Sequence, residues 1–228
     1  MAIGKLDPIG EIVLNGRSAS LRRHLRQTPA LAGRRFETEF LAEQIPHQLY
    51  AGDTLLHLAA AAVQPAVAAA LIEAGADVSA ANRRGTQPIH YACDPRPTHK
   101  IVWNPAAQER LIRLLVLAGA DPNSADNSGV MPMHRAVRAR SEAAVRALLA
   151  CGANAQTRSG QNGSTPLHLA VTPSGASGTA GQTESQAKIV RQLLAAGASL
   201  SDVDGRGQAV IDQISSAALR QALGLPRS

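Results

Sequence analysis

Aromatic side chains are nearly missing: Phe, Tyr and Trp make up 2% of the 228 residues, with a single tryptophan. That scarcity excludes an interior built around large rings and leaves few platforms for stacking the bases of a single-stranded nucleic acid. Cysteine occurs only at Cys93 and Cys151, too seldom for a disulfide framework or a four-thiolate zinc site. Both read as reduced thiols in a cytosol-like compartment. Lysine is confined to Lys5, Lys100 and Lys188. The remaining positive charge is arginine, which together with abundant alanine points to GC-rich codons and a bacterial source. No apolar run approaches the ~18 to 20 residues of a membrane span, and the stretch Met1 to Asn15 lacks the unbroken apolar centre of a secretory signal. The expectation is a soluble, cytoplasmic chain. A net charge of +6 and a pI of about 10.1 permit weak attraction to polyanions but decide neither fold nor specificity.

What the chain does contain is small apolar residues: a 45% hydrophobic share carried by Ala, Leu and Val, suited to thin, closely packed helical layers. Its length allows a sizeable core. It also contains repeats. The stretch Gly52-Asp-Thr-Leu-Leu-His-Leu-Ala-Ala60 returns as Gly85-Thr-Gln-Pro-Ile-His-Tyr-Ala-Cys93, Gly129-Val-Met-Pro-Met-His-Arg-Ala-Val137 and Gly163-Ser-Thr-Pro-Leu-His-Leu-Ala-Val171. The histidines His57, His90, His134 and His168 are separated by 33, 44 and 34 residues and hold one place in each unit. Each unit closes on a second motif after a Leu/Ile/Val-rich helix: Ala74-Gly-Ala-Asp77, Ala118-Gly-Ala-Asp121, Cys151-Gly-Ala-Asn154 and Ala196-Gly-Ala-Ser199. Opening and closing glycines lie 23 residues apart in the first and third units and 34 in the second and fourth, so two units carry eleven extra residues.

These motifs resemble the ankyrin repeat, whose Thr-Pro-Leu-His-x-Ala signature stands nearly intact at Thr165-Pro-Leu-His-Leu-Ala170. The resemblance runs from about Leu49 to Ser216. It implies an all-α solenoid in which each unit supplies a β-turn tip, a short inner helix and an antiparallel outer helix. Local chemistry agrees, because Pro88, Pro132 and Pro166 suit the first helical turn and the closing glycines suit a left-handed C′ position. The resemblance also assigns the histidines a bracing role, bonded to the threonine hydroxyl and nearby backbone. Four rings one repeat apart, roughly 10 Å by helix packing, are too far separated to share a metal at bonds of about 2 Å. Leu55 replaces the proline in the first unit, and Gln87 and Met131 replace the threonine in the second and third, which should weaken the local hydrogen bonding.

Residues 1–48 are expected to form a divergent N-terminal cap repeat and a connector, with a short helix from Phe36 to Glu43. Arg17, Arg22, Arg23 and Arg26 of this cap read as a solvated face. Four repeats follow over 49–204, at about 49–81, 82–125, 126–159 and 160–203, and 205–228 closes the array as a half-repeat, the alteration that exposed solenoid ends require. The extra residues fall between inner and outer helices, at about 94–104 and 172–183. The first insertion contains Trp103 and ends in Asn104-Pro105, an N-cap followed by an N1 proline, so it is expected to be ordered. The second has no large apolar residue and reads as a mobile loop. The short third repeat between them should form a recess roughly 20 Å wide, floored by Arg138 and Arg140. There Trp103 would anchor a partner and the arginines would fork onto its carboxylates. Family geometry adds a second surface along the turn tips. Tyr50, Asp53, Arg83, Arg84 and Thr86 lie at its first tips, followed by Asn127, Ser128, Val130, Gln161, Asn162 and Ser164.

The chain has no phosphate-binding Gly-x-x-x-x-Gly-Lys, no Gly-x-Ser-x-Gly elbow, no His-Glu-x-x-His and no Cys-x-x-Cys, and its carboxylates are scattered. The reading is a monomeric, non-enzymatic protein-binding module that needs no cofactor, metal or membrane. The alternatives are a secreted effector acting on a host protein and, behind it, a nucleic-acid binder supported by net charge alone.

Overall fold

The computed structural model describes residues 6–41, 45, 48–94, 104–160, 162–172 and 183–226. Helices α1 (Pro8–Leu14) and α2 (Ser18–Gln27) are followed by a 3-10 turn at Pro29–Gly33 and a hairpin of β1 (Phe40–Leu41) with β2 (Gln48–Leu49). Helix pairs then succeed one another: α3 (Leu55–Ala61) with α4 (Pro65–Glu73), α5 (Pro88–Ala92) with α6 (Pro105–Leu117), α7 (Pro132–Arg138) with α8 (Glu142–Ala150), and α9 (Pro166–Val171) with α10 (Thr183–Ala195). A 3-10 turn at Val210–Gln213 and α11 (Ala217–Ala222) end the series. Odd-numbered helices α1 to α9 pack in sequence on one another and then on the Val210–Gln213 turn, while α2, α4, α6, α8, α10 and α11 form the second row. This is a two-layered helical solenoid.

Local chemistry explains the boundaries. Pro8, Pro65, Pro88, Pro105, Pro132 and Pro166 start their helices, where no partner is lost with the missing N–H. Asn104 and Ser141 cap α6 and α8 by accepting from the N–H groups of Ala107 (3.0 Å) and Ala144 (3.1 Å). Outer helices of the four repeats end on Gly75, Gly119, Gly152 and Gly197, with φ between +84° and +103°. In each case the glycine N–H and the N–H after it bond back to the last turn, as when Gly75 reaches Ile72 and Ala76 reaches Leu71, both at 2.9 Å. This double closure satisfies two carbonyls and reverses the chain within one residue. Above the turns, Leu71, Leu115, Leu148 and Leu193 recur at one place and are fully buried in a continuous core.

The connector departs from expectation. Residues 36–41 of the expected Phe36 to Glu43 helix form no helix, bending at 37–38 and entering the strand Phe40–Leu41. Phe36 exchanges hydrogen bonds with the first repeat, its N–H donating to Asp53 O (2.7 Å) and its carbonyl accepting from Gly52 N (2.8 Å). Arg35 is paired antiparallel with Thr54. Tertiary hydrogen bonding and burial of Phe36 override the local helical pattern. In the second and fourth repeats α5 and α9 end at Ala92 and Val171, and α6 and α10 begin at Pro105 and Thr183. Residues 95–103 and 173–182 fall outside the described residues, with Trp103 and the reading of one insertion as ordered and the other as mobile.

Candidate functional site: the histidine column and the hairpin tips

Each histidine sits in the first turn of an inner helix and is at most 2% exposed. The Nδ1 atoms of His57, His90, His134 and His168 accept from the backbone N–H three residues earlier: Thr54 at 3.0 Å, and Gln87, Met131 and Thr165 at 3.2 Å. An amide can only donate, so the ring proton lies on Nε2. From there His57 donates to Thr86 O (3.1 Å), His90 to Val130 O (3.2 Å) and His168 to Gln208 O (3.2 Å), each in the following tip. His134 keeps only the bond within its repeat, and its Nε2 closes none. The threonine hydroxyl adds contacts at His57 (2.9 Å) and His168 (2.8 Å). Where Gln87 and Met131 stand instead, that contact is lost and the backbone bond remains.

Burial pushes His57, His90 and His134 below the ordinary imidazole value, His90 to about 4. These three rings are neutral and closed to solvent, and His57 and His90 are each committed to one bond within the repeat and one to the next, an arrangement that joins layers. Among the described residues no group of three His, Cys, Asp or Glu could hold a metal ion.

Burial also corrects four of the expected contact residues. Asp53 is fully buried; its carboxylate accepts from Asn82 Nδ2 (2.8 Å), the Tyr91 hydroxyl (2.8 Å) and Tyr50 N–H (2.7 Å), and lies 3.5 Å from His57 Nε2. Thr86 and Ser164, which follow the opening glycines Gly85 and Gly163, are buried too, and Thr86 Oγ1 accepts from Arg135 (3.2 Å). Arg140 does not floor an open recess. It is 4% exposed, and its guanidinium donates to the carbonyls of Leu169 (3.4 Å), Ala170 (3.0 Å) and Thr172 (2.6 Å). The reason is geometric: in the short inter-helix turn Arg140 takes φ +54°, which aims its side chain at the end of α9. Arg138 stays on the surface and pairs with Asp94 at 3.1 Å.

The remaining tip residues face outward. Arg83, Arg84, Asn127, Ser128 and Asn162 are exposed, and Tyr50 and Val130 are half-buried. Gln161 lies outside the described residues. The Arg84 guanidinium lies 4.0 Å over the Tyr50 ring, and Arg83 meets Glu39 at 2.8 Å. Successive tips are tied through backbone: Asn127 N–H donates to Arg84 O (2.9 Å), Gly160 N–H to Gly129 O (3.3 Å) and Gly205 N–H to Asn162 O (2.9 Å).

A second polar column went unnoticed in the sequence. Gln64, Gln108, Ser141 and Gln186 all stand eleven residues ahead of a closing glycine. Gln64 donates to Leu14 O (3.3 Å), Gln108 to Ala92 O (2.8 Å) and Gln186 to Ala170 O (2.8 Å), while Ser141 donates to Gln108 Oε1 (2.8 Å). The signal was their common place relative to that glycine. Arg135 was missed as well; it meets Asp126 at 2.9 Å, and nothing in its helix hints at that partner.

Family models match the repeated part of the chain. Residues 51–83 match the model of the ankyrin repeat, and residues 98–204 match the model of three consecutive ankyrin repeats. Together the matches span more than half of the chain. No curated protein matches it. With the histidine column, the double-closed outer helices and the linked tips in register, the chain belongs to the ankyrin repeat family.

Proposed function

We propose that this protein is a non-enzymatic adaptor that works inside the producing cell by holding a protein partner along its hairpin tips. Ankyrin repeats are generally protein–protein interaction modules. The observation that carries the reading is the tip row itself, in which backbone bonds join neighbouring tips while Tyr50, Arg84, Asn127, Ser128 and Asn162 keep accessible surface. A surface already held in shape loses little conformational entropy on binding. The stacked Arg84–Tyr50 pair supplies the residue types that dominate interface energetics. Chemistry finds no comparable support: the titratable groups of the histidine column are buried and committed, whereas a general base must reach a substrate proton.

The test places a photo-crosslinking residue at Ser128 or Asn162, with Arg191 on the outer layer as control. We expect a defined protein adduct from the tips and none from Arg191. Re-purified, that partner should lose binding to a chain carrying Asn127→Arg and Ser128→Arg. Adducts from Arg191 alone, or binding unaffected by the double variant, would overturn the reading. Recovery of the chain from culture supernatant would place the partner outside the producing cell.

A further inference from the structure

The outer layer has a charge pattern that breaks at one seam. Helix α8 meets α6 through Arg146 and Glu109, and α10 meets α8 through Lys188 and Glu142 (3.8 Å). Glu109 and Glu142 each stand ten residues ahead of a closing glycine, Gly119 and Gly152. In the first repeat that place is Pro65. Arg110 and Arg113 of α6 occupy the places of Lys188 and Arg146, so they should meet a carboxylate on α4. They find none: both are exposed, and neither forms an ion pair among the described residues.

The other flank of α4 is also basic. Helix α2 reads Ser18-Ala-Ser-Leu-Arg-Arg-His-Leu-Arg-Gln27, with no acid. Arg22 reaches Glu73, the one acid of α4, whereas Arg23 and Arg26 are exposed without an ion pair among the described residues. Between α2 and α4 lies a cleft of about 280 Å³, floored by Leu25, Pro29, Ala70 and Ala74 and rimmed by Arg22 and Arg26. It falls below the ~300 to 1,000 Å³ of small-molecule sites and suits inserted aliphatic side chains. Ala66 and half-buried Ala69 and Ile72 continue the apolar surface along α4, and Leu117, 87% exposed, extends it at the end of α6.

We propose that α4 and its two arginine rows dock an acidic amphipathic helix of a protein partner on the outer layer, away from the tips. Two interhelical spacings of roughly 8 to 10 Å separate α2 from α6. A helix of about 10 to 12 Å diameter laid over α4 brings its flanks within reach of both rows. An apolar stripe at i, i+3, i+4 and i+7 would fill the cleft and cover α4, with Glu or Asp flanks meeting Arg26 on one side and Arg110 and Arg113 on the other. A nucleic acid would use the arginines and leave the apolar floor unused, with Glu73 set against its phosphates.

The probe is a fluorescein-labelled synthetic helix with leucines in that stripe and glutamates on its flanks, read by anisotropy at low salt. The intact chain should bind it, and Arg26→Glu with Arg113→Glu should weaken binding by about tenfold or more, since each reversal sets like charges together. Ala66→Glu, which brings a carboxylate to the α4 face beside Arg110, should abolish binding without lowering Tm. Arg84→Glu at the tips should leave it unchanged, so this proposal and the tip reading fail separately. Binding that survives the reversals, loss equally caused by Arg84→Glu, or tighter capture of a single-stranded oligonucleotide than of the peptide would overturn it.

Discussion

At the scale of single residues, the buried imidazoles tie stability to pH. Burial lowers His57, His90 and His134, with His90 at about 4 against an ordinary 6.5. A group whose folded value lies below its unfolded value binds more protons unfolded, so its stabilisation is complete above about pH 6.5 and is lost as pH falls toward 4. For His90 alone this amounts to about 3 kcal/mol. The carboxyls of Asp7, drawn down chiefly by Arg34, and of Asp204, by backbone N–H groups, are lowered too, but they lose stabilisation only below ordinary carboxylate values. The interval from pH 6.5 to 4.5 therefore belongs to the histidines. Urea unfolding should give constant stability from pH 8 to 7 and a steep decline below 6.5, and His90→Gln should lower stability at pH 7.5 while flattening that decline. Glycine matters at one tip for a related reason. Gly129 has φ +72°, and a Cβ there would stand 2.5 Å from Gly160 N. Gly129→Ala meets both a left-handed penalty of about 1 to 2 kcal/mol and a backbone collision, and should separate the third and fourth tips. Faster amide exchange at Gly160 would report it.

Among elements, the end of α9 shows how a surface residue becomes structural. Arg140 brings an unpaired guanidinium out of water, and burial pulls it below its ordinary value. Three carbonyls at a helix C-terminus, the negative end of the dipole, compensate. Arg140→Ala leaves those acceptors with fewer donors and should cost about 2 to 4 kcal/mol in urea unfolding. Arg140→Lys should recover little of it, because one ammonium cannot fork onto carbonyls of residues 169, 170 and 172. This residue also marks the limit of what the sequence makes legible. Helix starts and stops could be read because proline, capping side chains and closing glycines act within a few residues. The histidine column could be read because equivalent residues repeat. Arg140 and Asp53 could not, since each is buried by groups about thirty residues away, Thr172 and Asn82 respectively. The connector misled for the same reason: Phe36 takes its hydrogen bonds from the tip at Gly52 and Asp53. Of the candidate surface, the outward tip positions were legible from repeat register and the inward ones were not.

For the whole molecule, the pattern of contacts is one-dimensional. Each inner helix touches its neighbours in the column and each outer helix its own, with α9 meeting the Val210–Gln213 turn and α10 meeting α11 at the far end. Stability in such an array is a sum of unit terms and nearest-neighbour interfaces, so damage should stay near its source where an end is involved and spread where the centre is. Val210 is fully buried, and its N–H bonds to Asp202 O (3.0 Å) in the last tip. Arg191 of α10 is bonded to the Ala222 carbonyl of α11. Val210→Ala loosens this terminal interface alone, whereas Leu148→Ala empties space between α8 and its neighbours on both sides. Both remove buried apolar volume, and in a globular core the larger truncation would simply cost more, about 2 to 5 kcal/mol for Leu→Ala. Here the difference should lie in extent. Hydrogen exchange on the Val210→Ala chain should quicken in α10 and α11 while α3 and α5 remain at their original protection. The Leu148→Ala chain should lose protection across both α6 and α10. Uniform loss of protection from the terminal substitution would mean that the repeats unfold as one unit, and the outer docking surface at α4 could then not be uncoupled from the C-terminal cap.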